Sequence, residues 1–403
     1  MRIRSTLLTI AASALAAGLA AQQVLNSDSA VPFNLARTPG GNFLVPETGT
    51  GANDGRLSLL SVWGARYRLL AGLPSGSTAE GPPLGPTAVA DAHSTVYVVI
   101  SEGSTLKTCT PGAFNSPLFS AVIRARFSPV PDGIRTGFEL TPANIDALAD
   151  GEAVTLENDA GERVSLDVLA DIPNLVPDAR LGLRQSDPYG AAAVGTLTQA
   201  DLDELGFTGS IAGANFLGRL LPGSPLGRRL EERTSVYVVD AGMNVIWEIS
   251  ASSGRRRVLV RFPAVQNSDP QTFGPETDPV PTSIFVREDG TFLVTTLGGF
   301  PFEAGSSKVW SVDPAARTAT PLIEGLTSAT NVLEVGGAIY VAEVSTNLLA
   351  NAPGRLLRFA SPTAQPEIFA DGLIGPTGLA YEPTRNEIIV SETFTSRILR
   401  FPL

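Results

Sequence analysis

One short unit recurs along this chain: an apolar, β-rich run, a few small polar residues, and a second β-rich run. It reads NFLVPETGTGANDGRLSLLSV at 42–62, TVYVVISEG at 95–103 and SVYVVDAGMNVIWEIS at 235–250. It returns as TFLVTTLGGFPFEAGSSKVWSVD at 291–313, AIYVAEVSTNLLANAPGRLLRFA at 338–360 and EIIVSETFTSRILRF at 387–401. A further β-prone run precedes the units (GPTAVADA, VPTSIFVRED, TSATNVLEV, GPTGLAYEP), and another follows them (RYRLLAGL, RRRVLVRFP, TATPLIEGL, QPEIFADGL). Four strands per unit in six copies predict an all-β, six-bladed β-propeller. The 40 glycines, 31 prolines and only 17% charged residues suit many short strands joined by tight turns.

The two ends of the chain extend the argument. The last unit stops at SRILRFPL, the third strand of blade six, and lacks a fourth. Near the other end QQVLNS is a spare β-prone run, and docking it onto blade six would close the ring and remove a free edge. Before it lies MRIRSTLLTIAASALAAGLAAQQ, with Arg2 and Arg4, an apolar stretch and small residues at Ala20 and Ala21. This reads as a signal peptide over residues 1–21 that directs a bacterial protein out of the cytoplasm, leaving a propeller over 22–403. No later segment is long enough for a membrane span. A net charge of −11 without a Lys/Arg stripe argues against nucleic acid and anionic membranes. The lone Cys109 forms no internal disulfide, and a monomer is expected.

Two segments exceed a minimal blade. Residues 131–162 hold a capped helical turn starting near Thr141 and a hairpin around Asp159-Ala160-Gly161. Residues 195–232 hold two helix-like stretches, TLTQADLDELGF and ANFLGRLLPGSPLGRRLEER. The first is expected between strands three and four of blade two, the second between strands one and two of blade three. Both connections fall on the lower face, where the two would form a small cap.

PETGTGANDGRLSLL, GLPSG, VYVVDAGMNVIWEI, DPYGAAAV and VPTSIFVREDGTFLVTTLGGFPFEAGSSKVWSV resemble the ScyD/ScyE family of secreted, NHL-like or YVTN-like propellers. The resemblance covers nearly the whole mature chain, and the two insertions depart from the family's usual length. It implies a six-bladed propeller outside the cytoplasm and brings no biochemical activity with it.

Chemistry is expected on the upper face, made by the loops between strands two and three and between blades. Five blades place a carboxylate where strand two ends: Glu47, Glu102, Asp240, Glu343 and Glu392, while blade four has Thr295 and Thr296. Toward the axis, the first strands offer Asn34, Thr87, Thr282, Asn331 and Thr377. Such an oxygen ring could hold Ca²⁺, which takes about six to eight oxygen ligands, with Glu47, Asn34 and Asn331 as the metal candidates. The same residue types also serve as turn formers that accept backbone N–H groups. Asp240, Glu343 and Glu392, with Phe300 and Phe302 of the GGFPF loop, are the candidate ligand-binding residues. The only histidine, His93, sits in a turn on the opposite face, which removes a Ser-His-Asp triad from consideration. Arg228-Arg229 and Arg255-Arg256-Arg257 read as solvated surface.

The sequence therefore points to a secreted binding or scaffold protein, with a small molecule or an envelope protein as partner. The alternative is a Ca²⁺-dependent hydrolase of lactones or esters, of the gluconolactonase or strictosidine-synthase type.

Overall fold

A computed structural model describes residues 22–77, 83–92, 94–102, 116–179, 182–221 and 224–403. Residues 1–21, His93 and Cys109 lie outside the described residues, and so do the expectations attached to them.

Six antiparallel sheets follow one another along the chain as the blades of a six-bladed propeller. Blade three shows the plan without additions: Pro188–Val194, Ser235–Asp240, Val245–Ser250 and Arg256–Arg261, paired in sequence order. Every second strand is buried along its whole length or nearly so, as in Thr95–Ile100, Ala338–Glu343 and Glu387–Glu392. That follows from its position inside its blade, with a neighbouring sheet packed on either side. Successive apolar layers therefore lie between blades. Val239, Ile246 and Leu259 of blade three, for example, share a cluster with Phe292, Val294 and Trp310 of blade four.

The ring closes as the two chain ends predict. Gln23–Asn26 pairs antiparallel with Arg397–Pro402, matching Val24 to Leu399, and becomes the outer strand of blade six. Side chains also stitch the seam on the axial side. Ser391 Oγ donates to the Phe33 carbonyl at 2.6 Å, and Thr393 Oγ1 to that of Pro32 at 2.7 Å.

Both insertions leave the chain where the repeat placed them, but they do not make one cap. In the first, the capping box of Thr141 and Asn144 starts helix Pro142–Ala149, and Val154–Glu157 forms a hairpin with Arg163–Asp171. Its strand Phe138–Glu139 pairs in parallel with the outer strand of blade one. Phe138, Leu140, Ile145 and Leu148 then enter the core between blades one and two. The reason is composition: this segment supplies apolar residues at strand spacing, so it extends sheets. The second insertion forms helices Gln199–Glu204, Ile211–Leu220 and Pro225–Glu232, with their own small core of Leu197, Leu202, Ala214 and Leu230. Only this insertion roofs the lower face. Among the described residues no helix is long and apolar enough to cross a membrane.

Candidate functional site

Blades one, five and six use one device at the upper end of strand two. Strand-two carboxylates pair across the sheet with an arginine that opens strand three: Glu47 with Arg56, Glu343 with Arg355, Glu392 with Arg397. Glu343 accepts the Thr327 N–H at 2.6 Å and Arg355 Nε at 2.5 Å. Glu392 accepts the Ile374 N–H at 2.7 Å, Thr395 Oγ1 at 2.8 Å and Arg397 Nε at 2.9 Å. In blade one, Arg66 takes over, donating to both Glu47 oxygens at 2.9 Å, while Arg56 stays 4.0 Å away and the Ala30 N–H donates at 2.5 Å. Each carboxylate is fully buried and each ties an inter-blade loop to its own blade. The charge is compensated by geometry that a buried ion needs in order to be tolerated.

These partners change the reading of the sequence candidates. Glu343 and Glu392 face arginines and loop backbone, which is the turn-forming role. Glu47 is likewise occupied by Arg66 and Ala30, whereas Asn34 and Asn331 bond to each other across the axis. Asn331 Nδ2 donates to Asn34 Oδ1 at 2.5 Å and to the Thr377 carbonyl at 2.9 Å; Asn34 Nδ2 donates to the Tyr189 carbonyl at 2.7 Å. Blades one, three and five are thereby linked through the centre. The expected trio of Glu47, Asn34 and Asn331 is split between two networks. Among the described residues, no three His, Cys, Asp or Glu side chains are grouped to hold a metal ion.

Blades three and four use a different donor. Trp247 Nε1 donates to Asp240 Oδ2 and Trp310 Nε1 to Thr296 Oγ1, both at 3.0 Å and from equivalent strand-three positions. Asp240 also accepts Ser186 Oγ at 2.7 Å and the N–H groups of Asp187 and Met243 at 2.9 Å. Four neutral donors hold it, with no cation among them. Burial pushes its carboxyl up against the pull of those hydrogen bonds.

Uncompensated charge accumulates beside it. Glu102, at the end of strand two in blade two, accepts from Gln185 Nε2, and its backbone N–H donates to Asp187. Burial, then the Asp240 charge, pushes the Glu102 carboxyl up to about 7. Burial, then Glu102 and Asp240, holds Asp187 well above the usual carboxylate range. Asp187 and Tyr189 are half-buried. Asp187 was not among the sequence candidates, although DPYGAAAV contains it. The readable signal was a carboxylate one residue before the first strand of blade three, where blades two, four, five and six have Gly85, Val280, Ser328 and Gly375.

The aromatic candidates stay together: half-buried Phe302 packs edge-on against Phe300 at 6.1 Å, and Phe300, 58% exposed, packs edge-on against Phe273 at 5.4 Å. Phe273 belongs to the connection between blades three and four, so the pair forms an apolar step on the upper face. Leu349, Ile374 and Phe394 are exposed in upper loops of blades five and six. The upper face thus has an acidic mouth at blades two and three and an apolar arc over blades four to six. The two arginine clusters differ: Arg257 reaches Glu248 at 2.8 Å on the surface, whereas Arg229 is half-buried and meets buried Asp201 at 3.4 Å as well as Glu232 at 3.0 Å.

No protein-family model matches this chain, and no curated protein does. Solved structures that this chain is similar to include a putative glucose dehydrogenase from Thermus thermophilus, at 14% identity over 95% of this chain and 99% of that one, TM-score 0.48. Streptogramin B lyase aligns at 9% identity over 94% and 96%, TM-score 0.44. An auxiliary nutrient binding protein from Bacteroides thetaiotaomicron aligns at 8% identity over 92% and 69%, TM-score 0.45. At this distance the likeness concerns the fold alone.

Proposed function

We propose that this chain is an exported binding protein of the ScyD/ScyE type, whose upper face takes a peptide-like ligand bearing positive charge and apolar side chains. The carrying observation is the convergence of Glu102, Asp187 and Asp240, which no described cation compensates. Repulsion within such a group is relieved by a proton or by a cationic ligand, and the latter gains from the low local dielectric. The apolar arc through Phe300, Leu349 and Phe394 supports an extended ligand rather than a bare ion. Titrating the mature protein with a short Lys/Phe peptide and with its Glu/Phe counterpart tests the reading. Preferential binding of the Lys form, weakened at least about tenfold by Asp187→Asn, is expected. Equal affinity for the two peptides, or none for either, overturns it.

A metal-dependent hydrolase is the second reading. It is favoured by a single feature, the Glu102 carboxyl held near neutrality beside a second carboxyl, the arrangement general acid catalysis uses. Lactone turnover that requires a divalent ion and disappears in Glu102→Gln would replace the binding reading.

A further inference from the structure

The lower face carries a cavity that the upper-face reading does not use. It encloses about 400 Å³ between the lower ends of blades one to three and helices Ile211–Leu220 and Pro225–Glu232. Its roof has its own apolar core, so the space lies under a packed element.

Among the described residues, the charged side chains that line it are Arg37, Asp91, Arg219 and Glu231, two of each sign. A ligand with net charge gains nothing from such a balance. Hydrogen-bonding capacity, in contrast, is left over in both senses. Arg37 Nε and Ser94 Oγ are buried without a hydrogen-bond partner among the described residues. The remaining Arg37 contact, to Glu382, is long at 3.5 Å, as is that of Arg219 to the Gly195 carbonyl at 3.4 Å. Glu231 Oε1 accepts Arg124 at 3.0 Å and Arg126 at 2.6 Å, while its other oxygen accepts no hydrogen bond from a described residue. Gly195, Gly218 and Ala193 keep the walls low, so the open space is flanked by guanidinium donors and a carboxylate acceptor.

We infer that this cavity is a binding site for a small, uncharged polyhydroxylated molecule, of monosaccharide to disaccharide size. A hydroxyl accepts from a guanidinium and donates to a carboxylate with the same oxygen, so vicinal hydroxyls satisfy both walls at once. The volume falls within the range of small-molecule pockets. The site is independent of the upper mouth: none of its lining residues belongs to the Glu102–Asp187–Asp240 group.

Calorimetric titration of the mature protein with glucose and with sucrose is the test, with glutamate and inorganic phosphate as charged probes. Saturable binding of one of the sugars is expected, weakened at least about tenfold by Arg219→Ala and by Arg37→Ala and unchanged by Asp187→Asn. Arg219 is exposed, so its removal leaves the fold intact even where the Arg37 variant is less stable. Failure of both sugars to saturate overturns the inference, as does sugar binding indifferent to both arginine variants. A preference for glutamate or phosphate overturns the polyol class.

Discussion

Blades one, five and six and the junction of blades two and three bury the same kind of side chain at the same level of the propeller, with opposite consequences. Glu47, Glu343 and Glu392 each meet an arginine and a loop N–H, so burial of the charge becomes a structural tie. At the junction the carboxylates find amide, hydroxyl, indole and backbone donors but, among the described residues, no guanidinium. Blade three has Val245 where blades one, five and six have Arg56, Arg355 and Arg397, so Asp240 lacks the cation that those strand-two carboxylates meet. A repeated carboxylate is architecture where the repeat also supplies its counter-ion, and a candidate site where it does not.

Breaking the compensated side should cost most. Deleting residues 22–27 removes the outer strand of blade six and the approach to Glu47, and should lower stability by about 4 kcal/mol through lost ladder hydrogen bonds and packing. Denaturant unfolding measures it, and an unchanged midpoint would refute the closure role. Next, Arg397→Ala strands the fully buried Glu392 carboxylate and should cost about 3 kcal/mol in the same measurement.

On the uncompensated side the sign reverses. With a folded pKa of about 7 against an ordinary 4.5, Glu102 favours the folded state while protonated. Its contribution is present below about pH 4.5 and lost as pH rises toward 7, about 2 kcal/mol after allowance for its partial exposure. Glu102→Gln should flatten that slope and be more stable than the parent at pH 8. A parent that gains stability over this window would contradict the uncompensated charge. The smallest effect belongs to the surface pair: Arg257→Ala should leave the unfolding midpoint unchanged at any of these pH values.

Much of this architecture was legible in the chain. The period of the repeat gave six blades, and the unmatched ends gave the closing strand, because strand pairing is a local pattern repeated. Thr141 announced its helix by capping chemistry. Even the ties were readable in part, since Arg56, Arg355 and Arg397 open strand three in GRLSLL, GRLLRF and SRILRF. Arg66 was not, because it reaches Glu47 from strand four. The metal trio failed for a related reason: Asn34 and Asn331 are 297 residues apart and meet only when the ring closes.

By itself, then, the sequence determined the number of blades, the order of their strands and the points where the insertions leave. Those features rest on alternation, turn residues and caps within a few residues of one another. Tertiary structure alone decided which buried carboxylates are neutralised, and that the first insertion extends two blades while the second roofs a cavity. Both depend on which distant side chains share one low-dielectric space, where a partner a few ångströms nearer or farther reverses the energetic sign.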